Sequence, residues 1–141
     1  MTPEELMREV VAAFEKADLQ PLLAAFEDET AWKSASTIQG KVCLGREYQN
    51  RAGRIEILSH ISAAYHFWRF KPKEITSLGE IVWGLFEVEA DYMPINKPRQ
   101  QPKYIIFECA IRWHARNNKI IEHKAFFDTD TLLIQRGELP S

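Results

Sequence analysis

Two long strands joined by Asn117-Asn118 constrain this chain more than any other segment. Tyr104–Arg116 reads as one strand and Lys119–Phe127 as its return. Asn tolerates positive φ, and a two-residue turn with both residues left-handed is the type I′ geometry that suits the twist of paired strands. The spacing therefore predicts a hairpin with Arg116 opposite Lys119. Stepping outward along a regular ladder sets His114 against Ile121, Arg112 against His123, Ala110 against Ala125 and Glu108 against Phe127. On that register Glu108, Arg112 and His123 share a face with Tyr104 and Ile106. The opposite face holds Ile105, Phe107, Cys109, Ile111, Trp113 and Phe126. Both faces carry apolar side chains, so alternation alone leaves open which one covers the core.

The rest of the chain supplies helices to cover such a sheet. Thr2-Pro3-Glu4-Glu5 is a helix-start pattern, and Leu6, Val10, Ala13 and Phe14 recur at helical spacing over about Pro3–Lys16. Asp18 caps a short second helix, Leu19–Phe26, and a short strand follows around Thr30–Lys33. A polar loop over 34–53 leads to a third helix, Arg54–Trp68, with Ile55, Leu58, Ile61, Ser62 and Tyr65 as its buried stripe. Pro72 marks that the helix has ended. Strands are expected over Lys73–Leu78 and Ile81–Tyr92, with a loop at Met93–Pro102. Asp128 caps a terminal helix near Thr131–Gln135. Helices followed by an antiparallel sheet make an α+β architecture, a single domain over residues 1–141.

Composition narrows the function classes. The net charge is −2 and the basic residues are scattered, so no concentrated basic surface for nucleic acid is expected. No apolar run nears the ~20 residues that span a bilayer. The chain opens on a helix cap rather than a basic segment and apolar run, and Cys43 and Cys109 form no CxxC pair; a cytoplasmic protein with reduced thiols is the expectation. His60, His66, His114 and His123 show no HxxxH or HExxH spacing, and no glycine-rich phosphate loop is present. Neither a metal nor a cofactor is expected.

Three segments together carry a resemblance: FEKADLQPLLAAFEDETAW (14–32), GRIEILSHI (53–61) and NKIIEHKAFFDTDTLLIQRG (118–137). In order and spacing they resemble the nuclear transport factor 2-like superfamily, which includes SnoaL-like cyclases, ketosteroid isomerases and limonene-epoxide hydrolases. The resemblance implies a cone-shaped α+β barrel: three N-terminal helices on a curved mixed or antiparallel sheet, with a short C-terminal helix. It also implies a pocket faced by His123, Ala125 and Phe127. The family's acids are not carried over. Val10 stands where the isomerases keep a helix-one tyrosine, Ser34 at their general base and Ala110 at their second acid. Ala125-Phe126-Phe127-Asp128 replaces the acid-led ending of the hydrolases and cyclases.

With His123 facing the pocket, the regular register brings Glu108 and Arg112 with it. Arg suits a carboxylate or enolate oxygen, and His or a desolvated Glu can move a proton near neutral pH. The expected function is a small-molecule-binding protein with a hydrophobic pocket. Acid–base chemistry of the isomerase, lyase or cyclase type on a carbonyl or carboxylate compound would fall to Glu108, Arg112 and His123. The alternative is a non-catalytic ligand-binding or protein-interaction module. Trp32, Tyr48, Tyr65, Trp68, Phe86, Val88, Tyr104 and Phe127 are the candidate ligand-binding wall. The same register leaves Ile105, Phe107, Ile111, Trp113 and Phe126 on the convex side, where they would form a homodimer surface, as is common among the family's members.

Overall fold

The computed structural model describes residues 1–34, 47–93 and 101–137, apart from the side chain of Phe67. Most of the expected 34–53 loop and residues 94–100 of the proline loop lie outside the described residues. The elements in chain order are α1 (Pro3–Glu15), α2 (Gln20–Ala25), β1 (Trp32–Ser34), α3 (Asn50–Ala64), β2 (Tyr65–Leu78), β3 (Ile81–Tyr92), β4 (Lys103–Arg116), β5 (Lys119–Phe127) and α4 (Thr129–Arg136). The strands form one mixed sheet in the order β1-β5-β4-β3-β2; β1 runs parallel to β5 and the other pairs are antiparallel. The sheet curls into a half-barrel with helices against its concave face. No described helix is long and apolar enough to cross a membrane.

Local chemistry accounts for the ends of the elements. The Thr2 hydroxyl accepts from the Glu5 N–H at the start of α1, and the Asp128 carboxylate accepts from the Thr131 N–H at the start of α4. Gly137 closes α4 with φ 80°, the left-handed conformation glycine adopts at no steric cost. Asn117 and Asn118 have φ 53° and 61°, the type I′ turn that the sequence predicts.

Two expectations are corrected here. The third helix ends at Ala64 rather than Trp68, and Tyr65 opens a fourteen-residue strand instead. Tyr65 pairs with Tyr92 and His66 with Asp91; this aromatic-rich run fits a pleated surface better than a helix. Pro72 lies within β2, at the sheet's edge and beside an irregularity in its pairing, where the missing N–H disrupts no inner ladder. The buried face of α3 is Arg54, Ile57, Leu58, Ile61 and Ala64, while Ile55 and Ser62 face solvent.

The second correction is larger. Arg116 does pair with Lys119 and Ala115 with Ile120, but His114 then pairs with Glu122, leaving Ile121 as an extra residue in β5. This β-bulge slips all later pairs by one: Trp113 lies opposite His123, Ile111 opposite Ala125 and Cys109 opposite Phe127. A one-residue slip exchanges the faces of a strand relative to its partner. His123, Ala125 and Phe127 therefore share the concave face with Phe107, Cys109, Ile111 and Trp113. Glu108 and Arg112 go to the outside.

The bulge gives a direct test. Ile121→Ala should cost no more than about 1.5 kcal/mol in urea unfolding, since the side chain is only partly buried. Deleting Ile121 makes Ile120 and Glu122 neighbours, which straightens the ladder while every other pair keeps its partner, so unfolding should stay cooperative. Deleting Lys124 instead moves Ala125 and Phe127 to the outer face and should abolish cooperative unfolding. A Lys124 deletion as stable as the Ile121 deletion would show that the residue count of β5 beyond the bulge does not set its register.

Candidate functional site

A cavity of about 80 Å³ lies between the concave face and the helices. Val10, Val11 and Phe14 of α1, Leu22 of α2 and Ile61 of α3 form its helical wall. Trp32 and Ser34 of β1, Trp68 and Phe70 of β2 and Val88 of β3 line it from the sheet. The centre of the sheet contributes Phe107, Cys109, Ile111 and Trp113 from β4, with His123, Ala125 and Phe127 from β5. None of the described lining residues carries a carboxylate, an ammonium or a guanidinium.

Its most polar corner is His123, only 3% exposed. The indole Nε1–H of Trp113 donates to His123 Nδ1 at 2.8 Å. This pair exists because the bulge makes the two residues cross-strand neighbours. Trp32 lies over the imidazole with ring centroids 4.1 Å apart, and Phe26 sits beside it at 5.6 Å. Every one of these neighbours is uncharged, and burial alone pushes the imidazolium pKa down to about 3. His123 Nε2 and Trp68 Nε1 are both buried with no hydrogen-bond partner among the described residues. Burial also pushes the Cys109 thiol up to about 12, so it stays protonated and is a poor nucleophile at neutral pH.

The sequence-derived trio is thus not brought together. Glu108 is exposed on the convex face, where its carboxylate accepts from Lys73 Nζ at 2.6 Å. Arg112 pairs with Glu122 at 3.0 Å on the same outer surface. Of the expected wall, Trp32, Trp68, Val88 and Phe127 line the cavity. Tyr48, Tyr65 and Phe86 are buried beside it in the core. Tyr104 is 59% exposed and donates to Glu89 outside. The expected convex surface is corrected with the register: Ile105, Phe107, Ile111 and Trp113 are core residues, and only Phe126 of that set faces outward, stacked on Trp83 at 5.7 Å.

One buried charge had no sequence signal. Arg54 is 0% exposed; its Nη1 donates to the carbonyls of Asp28 and Thr30, and its guanidinium lies 4.9 Å from the Phe26 ring centroid. It ties α3 to the turn before β1, and so places Phe26 and Trp32 against His123.

Comparison with solved structures decides the scaffold. A Burkholderia pseudomallei NTF2-like protein of unknown function superposes with a TM-score of 0.81 at 20% identity, over 96% of this chain and 98% of that one. The chain has the nuclear transport factor 2-like fold. TerC, co-crystallised with polyporic acid, matches this fold at TM-score 0.78 and 21% identity, over 95% of this chain and 98% of its own. A Mycobacterium tuberculosis epoxide hydrolase of the LEH-like type matches at 0.71 and 11%, over 94% and 87%. No protein-family model and no curated protein matches the sequence.

The neutral imidazole has a consequence for stability. In the unfolded chain His titrates near 6.5. Between that value and about 3 the unfolded chain binds a proton that the folded chain does not, so stability falls as pH drops through this window, by up to about 1.4 kcal/mol per unit. From pH 7 to 4.5 the wild type should therefore lose more unfolding free energy than His123→Phe. Equal losses in parallel urea titrations would show that the ring is not held neutral.

Proposed function

We propose that this protein binds a compact hydrophobic small molecule in the cavity between α1 and the concave sheet face, and that it does so without acid–base catalysis by Glu108, Arg112 and His123. The supporting observation is the cavity itself, walled by aliphatic and aromatic side chains and free of charged groups among the described residues. Its volume suits a ligand of few heavy atoms, or the reactive end of a larger one, rather than a whole drug-sized molecule, which needs about 300 Å³ or more. Two matched scaffolds support a small-molecule role for the fold: one was crystallised with polyporic acid and one is an epoxide hydrolase. With no lining carboxylate, and with the His123 Nδ1 lone pair taken by the Trp113 indole N–H, a proton-abstraction mechanism has no free base in the described wall.

Trp32, Trp68 and Trp113 line the cavity, so occupancy should alter indole emission. Titration with benzene and toluene should give saturable emission changes and a raised melting temperature. Ala125→Leu, which fills the space from β5, should remove both responses while keeping the fold. Glu108→Gln and Arg112→Ala should leave binding within twofold of wild type. Undiminished binding to Ala125→Leu, or its loss in the two outer-face variants, would place the ligand elsewhere.

The outer face supports a second reading, self-association. Trp83, 42% exposed, stacks with Phe126 in an apolar stripe whose charged surroundings include Arg112–Glu122 and Lys124. We propose that the protein forms a homodimer through this stripe in place of the buried residues named from the sequence. Light scattering at micromolar concentration should give a dimer mass that falls to a monomer in Trp83→Arg. A monomeric wild type at that concentration rules the stripe out as a stable interface.

A further inference from the structure

The hydrogen-bond chemistry around His123 carries the ligand assignment further. Indole Nε1–H can only donate, so Nδ1 of His123, which it meets at 2.8 Å, must be the lone-pair nitrogen. A neutral imidazole has one proton, and it therefore resides on Nε2. That N–H is buried without an acceptor among the described residues, in a side chain lining the cavity. A buried donor left without an acceptor is destabilising, because it has lost its water partner and gained none. A bound acceptor atom would recover that loss.

We propose that Trp113 locks His123 as the Nε2–H tautomer, making it a fixed hydrogen-bond donor that selects ligands carrying a carbonyl oxygen. The proposal rests on the ligand-binding reading above and names its ligand class. His123 is the specificity-determining residue and Trp113 the positioning residue that acts through it. The indole of Trp68, also lining the cavity and also without an acceptor, offers a second donor on the β2 side. A carbonyl fits better than a carboxylate, because the described wall supplies donors but no cation to offset a buried negative charge. The tautomer also removes His123 as a base: its one free lone pair is occupied by the Trp113 N–H. This differs from the role expected from the sequence, in which His123 or Glu108 moves a proton.

The test uses the intact protein with ¹⁵N-labelled histidine, and cyclohexanone against methylenecyclohexane, which replaces the carbonyl oxygen by a methylene of similar shape. The ring nitrogens of His123 should show the Nε2–H pattern unchanged from pH 5 to 8. The Nε2 signal should move with the ketone and not with the alkene. The ratio of ketone to alkene affinity should fall about tenfold in His123→Phe, a comparison in which each compound's own hydration cancels. Trp113→Phe should yield mixed tautomers and a reduced ratio with the imidazole still present; this variant decides the matter if His123→Phe fails to fold. A proton on Nδ1, a charged ring in that pH range, or an unchanged affinity ratio in the variants would overturn the proposal and leave hydrophobic binding standing. Failure of both compounds to perturb any cavity signal would overturn the proposal and the binding reading together.

Discussion

A single unpaired residue, Ile121, determines what the concave surface of this protein is made of. With Ile121 in the chain, a regular ladder from the Asn117-Asn118 turn could not bring the apolar sets of β4 and β5 to the same side. With the bulge, Trp113 faces His123 across the strands, and Glu108 and Arg112 face solvent. The cost is one disrupted ladder step near the hairpin's end. The return is a continuous buried face from Ile105 to Ala115, and the hydrogen bond that organises the cavity follows from it.

Burial then sets the chemistry. His123 and Cys109 could act as base and nucleophile in water, yet both are driven toward their neutral forms by the apolar wall. The charges on the outer sheet face pair with one another in Lys73–Glu108, Arg112–Glu122 and Glu80–Arg116. Helix α4 shows the same separation of roles. The Gln135 side-chain amide hydrogen-bonds both backbone groups of Ile106, while Arg136 reaches the hydroxyls of Tyr65 and Tyr92. Its polar groups fasten the helix over a stretch of β4 that β5 does not reach, and so satisfy a backbone that would otherwise lack partners.

Much of the scaffold was legible because it rests on local rules. The Asn-Asn turn, the caps at Thr2 and Asp128 and the α1 periodicity each follow from a few adjacent residues. The helix-to-strand change at Tyr65 was missed because Leu58, Ile61 and Tyr65 keep helical spacing up to the boundary, and pairing with β3 overrides it. The bulge left two marks that an assumed regular ladder concealed. In β4 the odd positions from Ile105 to Ala115 are uniformly apolar, while the even ones hold Glu108, Arg112, His114 and Arg116. In β5 the consecutive Ile120-Ile121 pair breaks the alternation, and the buried parity passes there from Ile120 to His123, Ala125 and Phe127. The resemblance placed β5 on the cavity side, as the structure does; the regular register then carried β4 to the wrong face.

By itself, then, the sequence determined the element types, the hairpin turn and the scaffold, because propensity, capping and turn stereochemistry act over a few neighbouring residues. It also determined that His123, Ala125 and Phe127 share a face, since alternation within a strand is local. Which residues of β4 join them was decided only by the tertiary structure, because the pairing between strands depends on how the whole sheet buries its apolar side chains. Arg54 belongs to the same category: nothing in α3 marks it as buried until Phe26 and the carbonyls of Asp28 and Thr30 close around it. The proton on His123 is likewise a tertiary property, placed on Nε2 by an indole ten residues away in sequence and 2.8 Å away in space.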